Sequence, residues 1–160
     1  SGNPGFPSLQ DDDWLWGGSL ETINETLHVG VRWDANDDTR FNDMPAFGRD
    51  EILEREGIND VVQYVLSFTG RETDKAAATR GMEVFADNCA SCHGEDAKGV
   101  QELGAPNLTD AIWLYGGDAA TITETVTNSR GGVMPAWGGR LDEETIKMLT
   151  VYVHSLGGGQ

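Results

Sequence analysis

Cys89-Ala90-Ser91-Cys92-His93 is the stretch of this sequence on which the predicted fold and chemistry depend. Two cysteines separated by two residues and followed directly by histidine are the attachment signature of a c-type haem. Each thiol can add to one vinyl group of the porphyrin, and the adjacent imidazole can then bind the iron from one face. The motif therefore predicts covalent haem c on Cys89 and Cys92, with His93 as an axial iron ligand.

Two other interpretations of the Cys-x-x-Cys pair can be considered. A redox-active dithiol would be expected in a βαβ context, and the surrounding sequence has no strand-like alternation. A structural zinc site would need a second pair of Cys or His ligands at finger-like spacing, but the chain contains only two cysteines. Haem attachment is therefore the interpretation that the sequence favours.

The chain of 160 residues is strongly acidic, with 27 acidic and 11 basic side chains and a formal net charge of −16. This balance argues against nucleic acid or an anionic membrane surface as a partner. No apolar run approaches the ~20 residues needed to cross a bilayer, and nothing near Ser1 resembles a signal peptide. Because covalent haem attachment implies export, we expect a periplasmic location, with any targeting or anchoring segment outside this sequence.

The N-terminal part of the chain repeats the C-terminal part. At an offset of 99 residues, 11 of the 24 positions from Pro7 to Gly30 are identical. The sequence Met44–Gly48 matches Met134–Gly138 at an offset of 90, which leaves nine extra residues in the first copy. We expect this insert within the polar stretch 33–43, as a surface loop. Duplication at this scale predicts two tandem domains, residues 1–72 and 73–160, the first incomplete at its N-terminus.

The coarse pattern is all-α, with short helices and Gly- or Pro-rich connections. A helix over residues 75–87 is expected to lead into the cysteines. Helices are expected after the N-cap residues Ser19 and Asp118, which can accept hydrogen bonds from first-turn amides. Final helices are expected near 59–67 and 142–156. Met82 and Met148 lie on apolar helical stripes, which predicts core positions for both.

A methionine is expected as the second axial ligand, because His/Met coordination raises the reduction potential and suits electron transfer. Met134 lies 41 residues beyond His93, in a Met-Pro-Ala-aromatic-Gly loop that also occurs at Met44. Met134 is therefore predicted to bind the iron of the haem on His93. The repeat offset puts a second haem motif upstream of Ser1, with Met44 as that haem's axial ligand. The alternative is a first module that has lost its haem, with Met44 in its core.

Together, five motifs resemble the dihaem cytochrome c subunit of cbb-type cytochrome c oxidases, the C-family haem–copper enzymes. They are CASCHG (89–94), GAPNLTD (104–110), WLYGG (113–117), MPAWGG (134–139) and YVHSLGGG (152–159). The resemblance implies two class I cytochrome c domains on the periplasmic side of the bacterial inner membrane. It also implies a membrane anchor and a first Cys-x-x-Cys-His motif, neither of which this sequence contains.

The function implied by the resemblance is electron transfer, with no substrate chemistry of the chain's own. Electrons would pass from a soluble or membrane-anchored cytochrome, or from a quinol-oxidising complex, to the catalytic subunit of a terminal oxidase. A dihaem peroxidase-like enzyme is one alternative, although it would need a displaceable axial ligand and the two Met-Pro loops argue against that. A cytochrome subunit of a periplasmic dehydrogenase is another, because the haem motif does not specify the donor.

Overall fold

The structure is a computed structural model that describes residues 5–157. Its helices are α1 Leu20–Val29, α2 Arg55–Phe68, α3 Lys75–Asn88, α4 Ala90–His93, the short 3-10 helix Gln101–Leu103, α5 Ala119–Asn128 and α6 Glu143–His154. Across those residues no β-strand forms, and the β-pairing is limited to isolated bridges, two of which involve Val31. The predicted all-α class is confirmed for this part of the chain. Within residues 5–157, none of the helices has both the length and the apolar character needed to cross a bilayer.

Side-chain caps fix the starts of four helices. The side-chain oxygens of Ser19, Asp74, Asp118 and Asp142 each accept a hydrogen bond from a backbone N–H in the first turn. These bonds satisfy amides that have no partner within the helix. The starts predicted from Ser19 and Asp118 are thus confirmed. Helix α2 begins earlier than residue 59, at Arg55, and has no side-chain cap bond.

The described residues divide into two compact units, and each unit combines segments from both copies of the repeat. The first unit holds the described residues up to Asn42, Gln101–Ala105 and the described residues from Gly132, and so contains α1 and α6. The second unit holds Asp43–Val100 and Pro106–Gly131, and so contains α2, α3, α4 and α5. The boundary near residue 72 separates the two copies of the repeat along the sequence. Each compact unit instead combines the first part of one copy with the last part of the other.

Equivalent main-chain hydrogen bonds occur in the two units, and they show that each copy of the repeat exchanges its last part with the other copy. In each unit, two N–H groups that follow a Met-Pro-Ala sequence donate to carbonyls near the end of the other copy's helix. The bonds are Phe47 N to Val126 O (3.0 Å) and Gly48 N to Thr127 O (3.1 Å) in the second unit, and Trp137 N to Leu27 O (2.9 Å) and Gly138 N to His28 O (3.2 Å) in the first. Because the two copies present similar surfaces, each Met-Pro loop can pack in the same way on either copy.

Helices α2 and α3 cross closely in the second unit because Gly81 has no side chain. A Cβ atom there would lie 2.0 Å from the carbonyl oxygen of Asp60. One turn further along α3, the ring of Phe85 makes edge contacts with Tyr64 and Phe68, at centroid distances of 5.5 and 5.9 Å. Edge-to-face aromatic pairs stabilise such contacts beyond their area of burial. The crossing therefore anchors the helix that leads into the cysteines.

An ion pair lies beside this crossing. The Asp60 carboxylate is 5% exposed and accepts two hydrogen bonds from Arg80, from Nε at 2.6 Å and from Nη2 at 2.7 Å. Bidentate arginine–carboxylate pairs have a fixed geometry. The Arg80 side chain is half exposed, so forming the pair has a modest desolvation cost. The pair helps to fix the orientation of α3 relative to α2.

The predicted core positions of Met82 and Met148 are wrong. The two residues are 54% and 66% exposed. The buried positions of α3 are instead Ala77, Gly81 and Phe85. Helical spacing in the sequence identifies an apolar stripe, but small residues such as Gly81 can shift the buried face because they allow a neighbouring backbone to approach.

Candidate haem-binding site

Helix α3 ends at the haem motif and holds its first cysteine. The backbone N–H of Cys89 donates to Phe85 O at 2.8 Å, which continues the ladder of α3. The next turn is α4, in which Cys92 N and His93 N both donate to Cys89 O, at 3.1 and 2.9 Å. One compact turn therefore carries both cysteines and the histidine, and both cysteines are free of disulfide bonds.

His93 is held in one tautomer by a backbone carbonyl. Its Nδ1 lies 3.0 Å from Pro106 O. A carbonyl oxygen only accepts, so Nδ1 carries the proton and Nε2 presents a lone pair. Burial lowers the pKa of His93, and the bond to Pro106 opposes this shift only in part. The imidazole is therefore neutral at physiological pH, in the form that binds a metal ion, and its ring orientation is fixed by a second residue.

An apolar cluster of the second unit lines the same region. Its buried members are Phe47, Ile58, Val61, Val62, Val65, Leu66, Phe85, Ala97, Ile122 and Val126. Partly buried side chains that pack against this cluster include Met44, Cys89, Leu108 and Trp113. Met44 and Cys89 thus share one core, which is the surrounding that a large apolar prosthetic group requires.

The two methionines predicted as ligands lie in different units. Met44 belongs to the second unit with His93, and its carbonyl oxygen accepts a hydrogen bond from Ser129 Oγ at 2.7 Å. Met134 belongs to the first unit, where its backbone N–H and carbonyl pair with Val31, both at 2.9 Å. His93 and Met44 therefore belong to one compact unit, and Met134 belongs to the other.

These residues fit a c-type haem. Two thiols on one turn can bond to the same porphyrin edge, and a neutral imidazole with a thioether gives the donor set of a low-spin electron-transfer haem. Burial raises the pKa of the Cys89 thiol to about 11, an effect to which Cys92 adds. The thiol is therefore uncharged at neutral pH, in keeping with an apolar haem edge.

Sequence reasoning missed two supporting residues. Pro106, which orients His93, lies in the quoted Gly-Ala-Pro-Asn motif, and this motif was the signal that could have identified it. Ser129, which fixes the Met44 loop, is a common residue type at a helix end, and its role becomes visible only when the exchanged packing is known.

Comparison with known proteins supports the motif-based resemblance. The sequence model of the family described as cytochrome c oxidase, cbb3-type, subunit III matches residues 76–153. The chain is 55% identical over 160 residues to the cbb3-type cytochrome c oxidase subunit CcoP of Cereibacter sphaeroides, a match that covers all of this chain and 55% of that protein. It is 58% identical over 167 residues to the CcoP subunit of Rhodobacter capsulatus, covering 99% of this chain and 56% of that protein.

A third relative carries a different subunit name. The chain is 58% identical over 160 residues to the cbb3-type cytochrome c oxidase subunit FixP of Azorhizobium caulinodans, covering 99% of this chain and 54% of that protein. The chain thus spans about half the length of the curated relatives it matches. The identity extends along the whole of this sequence, and the chain belongs to the family of CcoP and FixP subunits of cbb3-type cytochrome c oxidases.

Proposed function

We propose that this chain transfers electrons by haem c within a cbb3-type oxidase. Haem would be bonded to Cys89 and Cys92 and ligated by His93. Electrons would come from a periplasmic cytochrome or a quinol-oxidising complex and pass to the catalytic subunit, on the periplasmic side of the inner membrane. The observation that carries the proposal is the Cys89–His93 turn, whose imidazole is neutral and oriented by the Pro106 carbonyl.

Each part of the site has a role in this function. Haem c supplies a reversible one-electron couple at its iron. The two cysteines would hold the porphyrin edge at the C-terminal end of α3, and His93 would fix the iron on one face. The apolar cluster would exclude water, which limits the solvent reorganisation that accompanies a change of charge. The net charge of −16 suits docking of a basic donor.

The sixth ligand of this haem is proposed to be Met44. Its side chain packs on the same apolar cluster as Cys89, and Ser129 fixes its backbone. Pairing by chain order would instead select Met134, whose backbone is bonded to Val31 in the other unit. By the same exchange, Met134 would ligate a second haem, attached upstream of Ser1. Each of two haem modules would then take its methionine from the other copy of the repeat.

The function can be tested by producing the chain in a host that matures c-type cytochromes. Acid–acetone extraction removes non-covalent haem, so colour should remain on the polypeptide. The control variant, in which Cys89 and Cys92 are both replaced by alanine, should lose it. The reduced holoprotein, mixed with a cbb3-type catalytic subunit and oxygen, should then be reoxidised faster than with oxygen alone. A colourless extracted chain, or reoxidation that the catalytic subunit does not accelerate, would contradict the proposal.

A further inference from the structure

The residues that end α1 and α5 occupy equivalent positions of the repeat but are of different types. At the offset of 99 residues, Gly30 corresponds to Ser129. The backbone of Gly30 has φ 72° and ψ −173°, and that of Ser129 has φ 61° and ψ 156°. This region is adopted almost exclusively by glycine, because a side chain makes it strained. Ser129 therefore holds a strained conformation where the first copy of the repeat has the residue type that fits.

The Met-Pro loop of the first unit leaves no room for a side chain at Gly30. A Cβ atom there would lie 2.4 Å from Met134 O and 2.7 Å from Ala136 N. The next residue, Val31, exchanges two backbone hydrogen bonds with Met134, each 2.9 Å long. The backbone of Met134 is therefore fixed directly by the main chain that follows α1.

The Met-Pro loop of the second unit is held by a side chain instead. Ser129 Oγ donates a hydrogen bond to Met44 O at 2.7 Å. Arg130 and Met44, the described residues equivalent to the bridged pair of the first unit, take part in no β-bridge. Because proline has no N–H, the peptide that joins Met44 to Pro45 has the Met44 carbonyl as its single hydrogen-bonding group. The Ser129 hydroxyl binds that group.

We propose that Ser129 is a positioning residue for the haem on His93, and that its hydroxyl stabilises the bond between the Met44 sulfur and the iron. This inference rests on the proposed function, in which Met44 is the sixth ligand. The proline ring fixes φ of residue 45 and restricts Met44 to extended backbone. The hydrogen bond from Ser129 then limits rotation of the Met44 carbonyl, and with it the direction of the Met44 side chain. This contribution of the hydroxyl accounts for a serine at a position whose backbone favours glycine.

The role of Ser129 can be tested by the pH at which Met44 leaves the iron. In the oxidised holoprotein, the near-infrared methionine–iron charge-transfer band is followed while the pH is raised. Ser129→Gly removes the hydroxyl and relieves the backbone strain. Loss of one hydrogen bond should favour release roughly three- to tenfold, which lowers the midpoint of a one-proton transition by about 0.5–1 pH unit. Thr123→Ala is the matched control, since it removes from α5 a hydroxyl that bonds to Ala119 O at 2.7 Å, and its midpoint should equal that of the parent.

Ser129→Ala separates the effect of the hydroxyl from that of the backbone. It removes the hydroxyl but keeps the strain, so it should unfold at a lower urea concentration than Ser129→Gly, while both variants should release Met44 at the same lowered pH. A release midpoint like that of the parent in either variant would overturn the proposal. Met44→Ala distinguishes this failure from failure of the proposed ligand. Retention of the band in Met44→Ala contradicts the ligand and the role of Ser129 together, whereas its loss, with a parent-like midpoint in Ser129→Gly, contradicts the role of Ser129 alone.

Discussion

Adding one methyl group at Gly81 should separate α2 from α3. The Cβ of Gly81→Ala would lie 2.0 Å from the Asp60 carbonyl oxygen and 2.9 Å from Tyr64 Cβ. Overpacking typically costs about 1–3 kcal/mol, and a backbone carbonyl cannot move aside as a side chain can, so the upper end applies. Alanine returns about 1 kcal/mol of helix propensity. The net loss should be about 2 kcal/mol, or roughly 8–16 °C in Tm for a unit of this size.

The matched control is Gly57→Ala in α2, where the nearest atom to the new Cβ would be Leu53 Cδ2 at 3.8 Å. This substitution meets no obstacle and should stabilise the protein by about 0.5 kcal/mol. Both variants are compared with the parent holoprotein by urea unfolding followed by far-UV circular dichroism. The two substitutions should thus have opposite signs. A Gly81→Ala protein as stable as the parent would refute the close crossing of α2 and α3.

Two further predictions concern charged groups. Asp60→Asn keeps the shape of the side chain but removes the carboxylate that pairs with Arg80. The urea midpoint should fall by the equivalent of about 1–2 kcal/mol, because the exposure of the arginine weakens the pair. An unchanged midpoint would contradict a stabilising pair. His28 has a raised pKa, because Nδ1 bonds to Asn24 O and Nε2 lies 3.1 Å from Glu143, while Lys147 opposes the shift. The stability that it contributes should be fully present below pH 6.5 and lost as the pH rises through its higher folded-state pKa. His28→Gln should remove this part of the pH dependence of the urea midpoint, and an identical pH profile in the variant would refute it.

Local features of the sequence predicted local structure well. Ser19 and Asp118 precede apolar i, i+4 pairs, and both cap helices through side-chain bonds to the backbone. The Cys-x-x-Cys-His motif predicted that three side chains act on one haem, and these residues lie within the single turn of α4 and its N-cap, Cys89. These features depend on residues within one or two helical turns of each other, so the sequence contains all the information that they need.

The partner of each repeated segment could not be predicted in this way. Both Met-Pro-Ala sequences are followed by an aromatic residue and glycine, and both helices on which they dock accept a hydrogen bond at equivalent residues, Leu27 and Val126. Sequence similarity does not distinguish a Met-Pro loop that packs on its own copy of the repeat from one that packs on the other copy. The order of segments along the chain favoured the first pairing, whereas the compact units have the second. The exposure of Met148 has a related cause, because a helical stripe shows that a face is apolar without showing which element covers it.

The identity of the sixth ligand distinguishes the two possible pairings of the haem with a methionine. In the holoprotein with haem on Cys89 and Cys92, the near-infrared methionine–iron charge-transfer absorption of the oxidised form is measured for Met44→Ala and Met134→Ala. If Met44 is the sixth ligand, Met44→Ala should abolish this band, lower the reduction potential and allow added imidazole to bind the iron, as loss of a thioether ligand requires. Met134→Ala should have none of these effects. Loss of the band in Met134→Ala with its retention in Met44→Ala would contradict Met44 as the sixth ligand.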